Sequence, residues 1–120
     1  MELIIGGAYQ GKFRYACEKF NLKEEEILFC LDQNAEGKRA ICGFHLLVRQ
    51  WLINGLEPLE ETKSISAEII ISDEIGNGIV PMDAFERQWR EECGRCCIIL
   101  AKKADTVTRI FCSIPTKIKG

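Results

Sequence analysis

Leu3-Ile4-Ile5-Gly6-Gly7-Ala8-Tyr9-Gln10-Gly11-Lys12-Phe13 joins a short β-branched run to a glycine-rich turn and then to a helical pattern. The run stops at Gly6-Gly7, as a buried strand does on entering a tight loop. From Phe13 the apolar residues recur at Ala16, Cys17 and Phe20, the spacing of a helix face that packs on a sheet, and Asn21 is a plausible stop. Between strand and helix, Gly6 to Lys12 matches the G-x-x-x-x-G-K phosphate loop. Glycines let backbone N–H groups turn toward an anion, and the following helix aims its positive end at the same place. Lys12 adds a mobile charge for outer phosphates. The candidate nucleotide-binding residues are therefore Gly6, Gly7, Ala8, Tyr9, Gln10, Gly11, Lys12 and Phe13, with Lys12 also a candidate catalytic group. Phe13 stands where the complete motif has a Ser or Thr hydroxyl for magnesium, so the loop offers phosphate binding without that ligand for the metal. The competing reading is an ordinary glycine turn with a surface lysine and with Phe13 facing the core.

Working outward, Ile27-Leu28-Phe29-Cys30 reads as a second short strand, followed by a polar turn from Asp32 to Lys38. Ile41, Phe44, Val48, Leu52 and Leu56 keep helical spacing up to a stop near Gly55, with Pro58 beyond it. Ile69-Ile70-Ile71 is the continuous β-branched run of a strand buried on both faces. After Pro81 the apolar positions Met82, Phe85, Trp89, Cys93, Cys96, Leu100 and Ala104 form a long helical stripe, and Thr106 to Cys112 is a last strand before a tail containing Pro115. Strands alternating with helices predict an α/β fold of the three-layer P-loop type, a mostly parallel sheet flanked by helices.

With 120 residues and 47% hydrophobic content, the chain suits a single domain over 1–120. The 16 basic and 18 acidic residues are interspersed, for a net charge of −2, a pattern that does not point to nucleic acid as partner. No apolar run approaches the ~20 residues of a membrane span, and Glu2 precedes the first apolar stretch in place of a basic region. The expected location is the cytoplasm, with the seven cysteines reduced and mostly buried.

Three further features bear on chemistry. Asp73-Glu74 follows the Ile69 strand, where P-loop folds place a carboxylate for magnesium, and strand alternation sends the two to opposite sides, so at most one easily reaches the loop. Both are candidate metal ligands, against the reading that they are solvated turn residues. Cys93-x-x-Cys96 lies inside a helical stripe without a second ligand pair, so packing is expected over zinc. His45, the one histidine, sits at helical spacing beside Ile41, Phe44 and Val48 and reads as a packed or hydrogen-bonded helix residue.

Three blocks resemble the bifunctional adenosylcobinamide kinase and adenosylcobinamide-phosphate guanylyltransferase family of cobalamin biosynthesis. Ile4 to Lys12 looks like that family's Gly-Gly-Ala-Arg-Ser-Gly-Lys-Ser loop, with Phe13 at the last serine. Asp73-Glu74-Ile75-Gly76-Asn77-Gly78-Ile79-Val80-Pro81 resembles Asn-Glu-Val-Gly-x-Gly-Ile-Val-Pro. The third block runs from Arg87-Gln88-Trp89-Arg90 through Gly94-Arg95 and Ala104-Asp105-Thr106-Val107 to Ile114-Pro115-Thr116-Lys117-Ile118-Lys119. The resemblance implies a shortened, divergent member using GTP or ATP, with Mg2+, to phosphorylate a corrinoid alcohol such as adenosylcobinamide, and a homo-oligomer like the family's trimers. It casts Glu74 as the catalytic acidic partner near magnesium and Arg90 and Arg95 as phosphate-neutralising residues. The segment carrying the family's guanylylated histidine falls in the shortened region before the Ile69 strand, so phosphoryl rather than guanylyl transfer is expected. The alternatives are a noncatalytic nucleotide- or corrinoid-binding module and a structural subunit.

Overall fold

The computed structural model describes residues 1–29, 37–75 and 83–120. Within them lie β1 (Glu2–Gly6), α1 (Lys12–Phe20), β2 (Ile27–Leu28), β3 (Ala40–Cys42), α2 (Phe44–Ile53), α3 (Pro58–Lys63), β4 (Ile69–Asp73), α4 (Ala84–Lys103), β5 (Thr106–Phe111) and β6 (Ile114–Lys119). A 3-10 turn, Glu24–Glu26, leads into β2. The strands form one six-stranded sheet in the order β2-β3-β4-β1-β5-β6. Every neighbouring pair is parallel except β5 and β6. This is the expected α/β architecture.

The β-branched runs occupy the middle of the sheet because only there are both faces covered. Leu3 pairs with Ile70 and Val107, and Ile4 with Ile71 and Thr108. Alternation then divides the core in two. Leu3, Ile70 and Val107 pack with Phe44, Val48, Cys93, Cys96 and Leu100, beneath α2 and α4. Ile4, Ile69, Ile71 and Ile110 pack with Ala16 and Ile27 on the α1 face. Burying each such Leu or Ile contributes about 1.5–3 kcal/mol, which makes β4, β1 and β5 the rigid platform of the fold. The chain leaving β1 turns to one face while α4, after β4, covers the other. The crevice at the carboxyl ends of β1 and β4 is thus the place where an open α/β sheet accepts ligands.

The structure departs from the sequence reading in four places. Ile41 belongs to β3, not to a helix; it kept helical register with Phe44 and Val48 by coincidence, and the break is Gly43, whose φ of 83° lies in the left-handed region. Pro58, read as lying beyond a stop, opens α3 at the first-turn position where its missing N–H does no harm. The supposed tail is β6, which runs back along β5 through Cys112 and Ser113, at φ 50° and 63°. Such a turn usually announces itself with Asn-Gly or Asp-Gly, and neither is present. Leu56 falls beyond α2. Asp83 caps α4, its Oδ1 accepting from the N–H groups of Phe85 and Glu86. Cys30, residues 32–36 of the polar turn, residues 76–81 of the second family block and Met82 of the helical stripe lie outside the described residues.

Gly6 is where β1 presses hardest on its neighbour: a Cβ there would stand 2.5 Å from the Ile110 carbonyl oxygen. Gly6→Ala should lose about 1–3 kcal/mol, the usual cost of forcing an extra group into a packed interior. Urea unfolding checks this, the expected result being a lower midpoint at unchanged slope.

Candidate functional site

The loop after β1 is held from outside by the β5–β6 turn. Gln10 is the clasp: its side-chain Oε1 accepts from the Cys112 N–H at 2.6 Å and its carbonyl from the Ser113 N–H at 2.8 Å. Gly11, the N-cap of α1, has φ 92°, and a Cβ there would stand 2.6 Å from Ser113 Oγ. Two independent reasons therefore require glycine. Tyr9 also sits in left-handed backbone, at φ 61°, which costs a non-glycine residue about 1–2 kcal/mol; its ring and Ala8 face solvent.

Lys12 turns inward. Its Nζ donates to the Gly7 carbonyl at 2.6 Å and lies 2.6 Å from Asp73 Oδ1, with the side chain only 7% exposed. An ammonium buried to this degree needs a carboxylate beside it, and β4 supplies one because Gly6 and Asp73 are register partners. The other oxygen, Asp73 Oδ2, is 3.4 Å from His45 Nε2. His45 Nδ1 accepts the Asp73 backbone N–H at 3.1 Å. His45 itself is anchored by Trp89, whose Nε1 donates to the His45 carbonyl at 2.7 Å and whose ring stacks on the imidazole.

These groups border a cleft of about 650 Å³ between the loop and the start of α2, with Lys12, Asp73, His45 and Gly43 on its polar side and Phe13, Phe29 and Leu46 on its apolar side. Burial, aided by Lys12, holds the His45 pKa below its ordinary value against the opposing pull of Asp73. A neutral imidazole that accepts at Nδ1 carries its proton on Nε2, facing Asp73. Cys42, on the same cleft, has its thiol pushed up to about 11, by burial first and Asp73 second.

The structure thus redistributes the expected site. Asp73, not Glu74, meets the loop lysine: Glu74 points to the opposite sheet face, bonded by Arg109 at 3.1 Å, and borders a smaller cleft beside Cys93 and Cys97. Alternation sends the two carboxylates apart, and the register of β4 on β1, with Asp73 opposite Gly6, makes Asp73 the one that meets the lysine. Arg95 faces outward on α4, paired with Glu92 at 3.3 Å, and neither it nor half-buried Arg90 lines the loop cleft. Phe13 does not turn into the core; it is exposed at the cleft, its ring 5.7 Å from Phe29. The sequence reading missed His45 as a site residue because helical spacing alone hides that it stands at the first turn of α2, directly after β3. The Gly43 break was the one available signal. Cys93 and Cys96 are buried core residues.

A family model described as cobinamide kinase / cobinamide phosphate guanyltransferase matches residues 47–118. The chain belongs to this family. The match takes in Asp73, Glu74, Arg90 and Arg95 and starts beyond the glycine loop, so loop geometry and family membership are separate observations. A comparison with curated proteins finds no match. Among the described residues, no helix is long and apolar enough to cross a membrane.

Thiol reactivity should follow these surroundings. Cys112, exposed at the hairpin turn, should be alkylated well before Cys42 and Cys96 by brief iodoacetamide at neutral pH. Cys42 and Cys96, both raised to about 11, should stay unmodified, as peptide mass spectrometry would register.

Proposed function

We propose that the chain binds a nucleoside triphosphate, GTP or ATP, on residues 6–13 and transfers its terminal phosphoryl group to a corrinoid alcohol such as adenosylcobinamide. The observation that carries this reading is Lys12, a buried ammonium held by the Gly7 carbonyl and Asp73 at the start of α1. Family membership over residues 47–118 supports the reaction class.

The residues divide the work by chemistry. Backbone N–H groups of the loop and the positive end of α1 receive the phosphate chain, and Lys12 moves its charge from Asp73 to the outer phosphates. The acceptor enters the cleft along Phe13, Phe29 and Leu46, whose apolar surfaces suit a large, largely hydrophobic molecule. Its hydroxyl oxygen attacks the terminal phosphorus as the bond to the bridging oxygen breaks, and the hydroxyl proton passes to a carboxylate or water. Little covalent chemistry is asked of the protein beyond position and charge.

Magnesium, where it takes part, neutralises the phosphate oxygens. Asp73 offers a carboxylate at the cleft edge with its side chain 27% exposed, while Phe13 offers no ligand, and among the described residues no three metal-binding side chains are grouped. That donor set fits an ion brought in with the nucleotide and completed by phosphate and water, the usual habit of magnesium, with Asp73 in the role that the resemblance gave to Glu74. His45 is committed to Asp73, which favours phosphoryl transfer over a covalent guanylyl-histidine route. We extend the reading to a cytoplasmic homo-oligomer, a trimer.

Calorimetric titration of GTP and ATP into wild type and Lys12→Ala, with and without magnesium, tests the reading. Charge-assisted bonds of about 1.5–3 kcal/mol correspond to a roughly ten- to hundredfold weaker complex in the variant. Saturable binding without turnover on cobinamide would leave a noncatalytic binding module, and no binding under any condition would sink the nucleotide reading. Light scattering should give the mass of three chains; a monomer mass rejects the trimer.

A further inference from the structure

We infer that His45 is a positioning residue for Asp73, fixing the carboxylate that must change partners when Lys12 turns to phosphate. The inference rests on the nucleotide reading above and goes beyond it, because it assigns a role to a residue that no phosphate-loop pattern contains.

The argument begins with a conflict inside the site. Asp73 Oδ1 is held by Lys12 at 2.6 Å, yet the same lysine serves the outer phosphates when a nucleotide is present. Once the ammonium leaves, a carboxylate with two soft torsions and one strong partner gone is free to rotate. It also faces incoming negative charge. A catalytic carboxylate needs a contact that does not depend on the lysine.

His45 supplies contacts of that kind. One edge of its ring meets a single residue at two points: Nδ1 accepts the Asp73 backbone N–H at 3.1 Å, and Nε2 faces Oδ2 at 3.4 Å. Neither contact involves Lys12. The ring is in turn immobilised by Trp89, through the indole bond to the His45 carbonyl and the stack at 6.5 Å. Trp89 and Arg49 lie close together, the guanidinium 5.2 Å above the indole ring, and Arg49 bonds Glu86 one turn earlier on α4. A chain of contacts thus ties the site carboxylate to α4, the longest helix. His45 side-chain exposure is 11%, so solvent does little to loosen it.

Neutral imidazole is the form this arrangement requires. A proton on Nδ1 would oppose the Asp73 N–H donor to donor.

Three variants separate positioning from packing. His45→Asn keeps an acceptor near Nδ1 and loses the Nε2 contact; His45→Gln offers a donor near Nε2 and loses the Nδ1 acceptor; His45→Ala loses both. Nucleotide affinity is measured with and without magnesium, together with kcat and KM for cobinamide and amide hydrogen exchange at Asp73. The expected result is magnesium-free affinity within about twofold of wild type in all three, because the loop and Lys12 are intact. In His45→Ala, kcat and the affinity gained from magnesium should fall roughly 10- to 100-fold with KM little changed, and the Asp73 amide should exchange faster. His45→Asn should retain amide protection and recover part of the loss. Wild-type kcat and magnesium gain in His45→Ala would overturn the assignment, as would an equal loss of magnesium-free binding in all three variants, which marks a structural role. If His45→Ala does not fold, His45→Asn and His45→Gln decide the matter by the same two readouts. Absence of nucleotide binding by wild type would remove the reading beneath the proposal, an outcome distinct from all of these.

Discussion

A positive charge placed below the surface has to be met by a negative one, and the site of this protein is organised around that requirement. Lys12 is drawn under the loop by the Gly7 carbonyl and Asp73. Its burial is tolerable only because β4 ends beside β1 in the register that sets Asp73 opposite Gly6. The parallel sheet therefore does more than carry the loop. Its register chooses which of two adjacent carboxylates becomes the partner of the lysine.

The same pair helps to hold the loop in place. Asp73 fixes the lysine from one side, and Gln10 locks the loop to the β5–β6 turn by two short hydrogen bonds. The turn in turn needs Gly11 without a side chain. Loop, hairpin and the end of β4 make one interdependent unit, built from segments far apart in sequence.

On the apolar side of the cleft the balance of forces changes. Phe13 and Phe29 give the cleft an aromatic wall, while Asp73 and His45 border it from the polar side. Trp89 holds the His45 ring in place through the indole hydrogen bond and the stack. Across the sheet, Glu74 and Arg109 form their own pair beside Cys93 and Cys97.

Much of this was legible from local pattern. The β-branched runs at Ile4 and Ile70, the helix faces after Phe13 and Pro81, and the glycine spacing up to Lys12 fixed the α/β class and the loop, because burial and backbone geometry impose short periods that survive in any local window. Three elements escaped because their determinants are not local. β3 was hidden inside a helical count that passed through Ile41; β6 follows a turn of Cys112 and Ser113 in left-handed backbone, which its residue types do not advertise; α3 is too short to establish a period. The choice of Asp73 over Glu74 and the entry of His45 into the site belong to the tertiary structure alone. Alternation could say that the two carboxylates diverge, and only the parallel register of β4 on β1 could say which one finds the lysine.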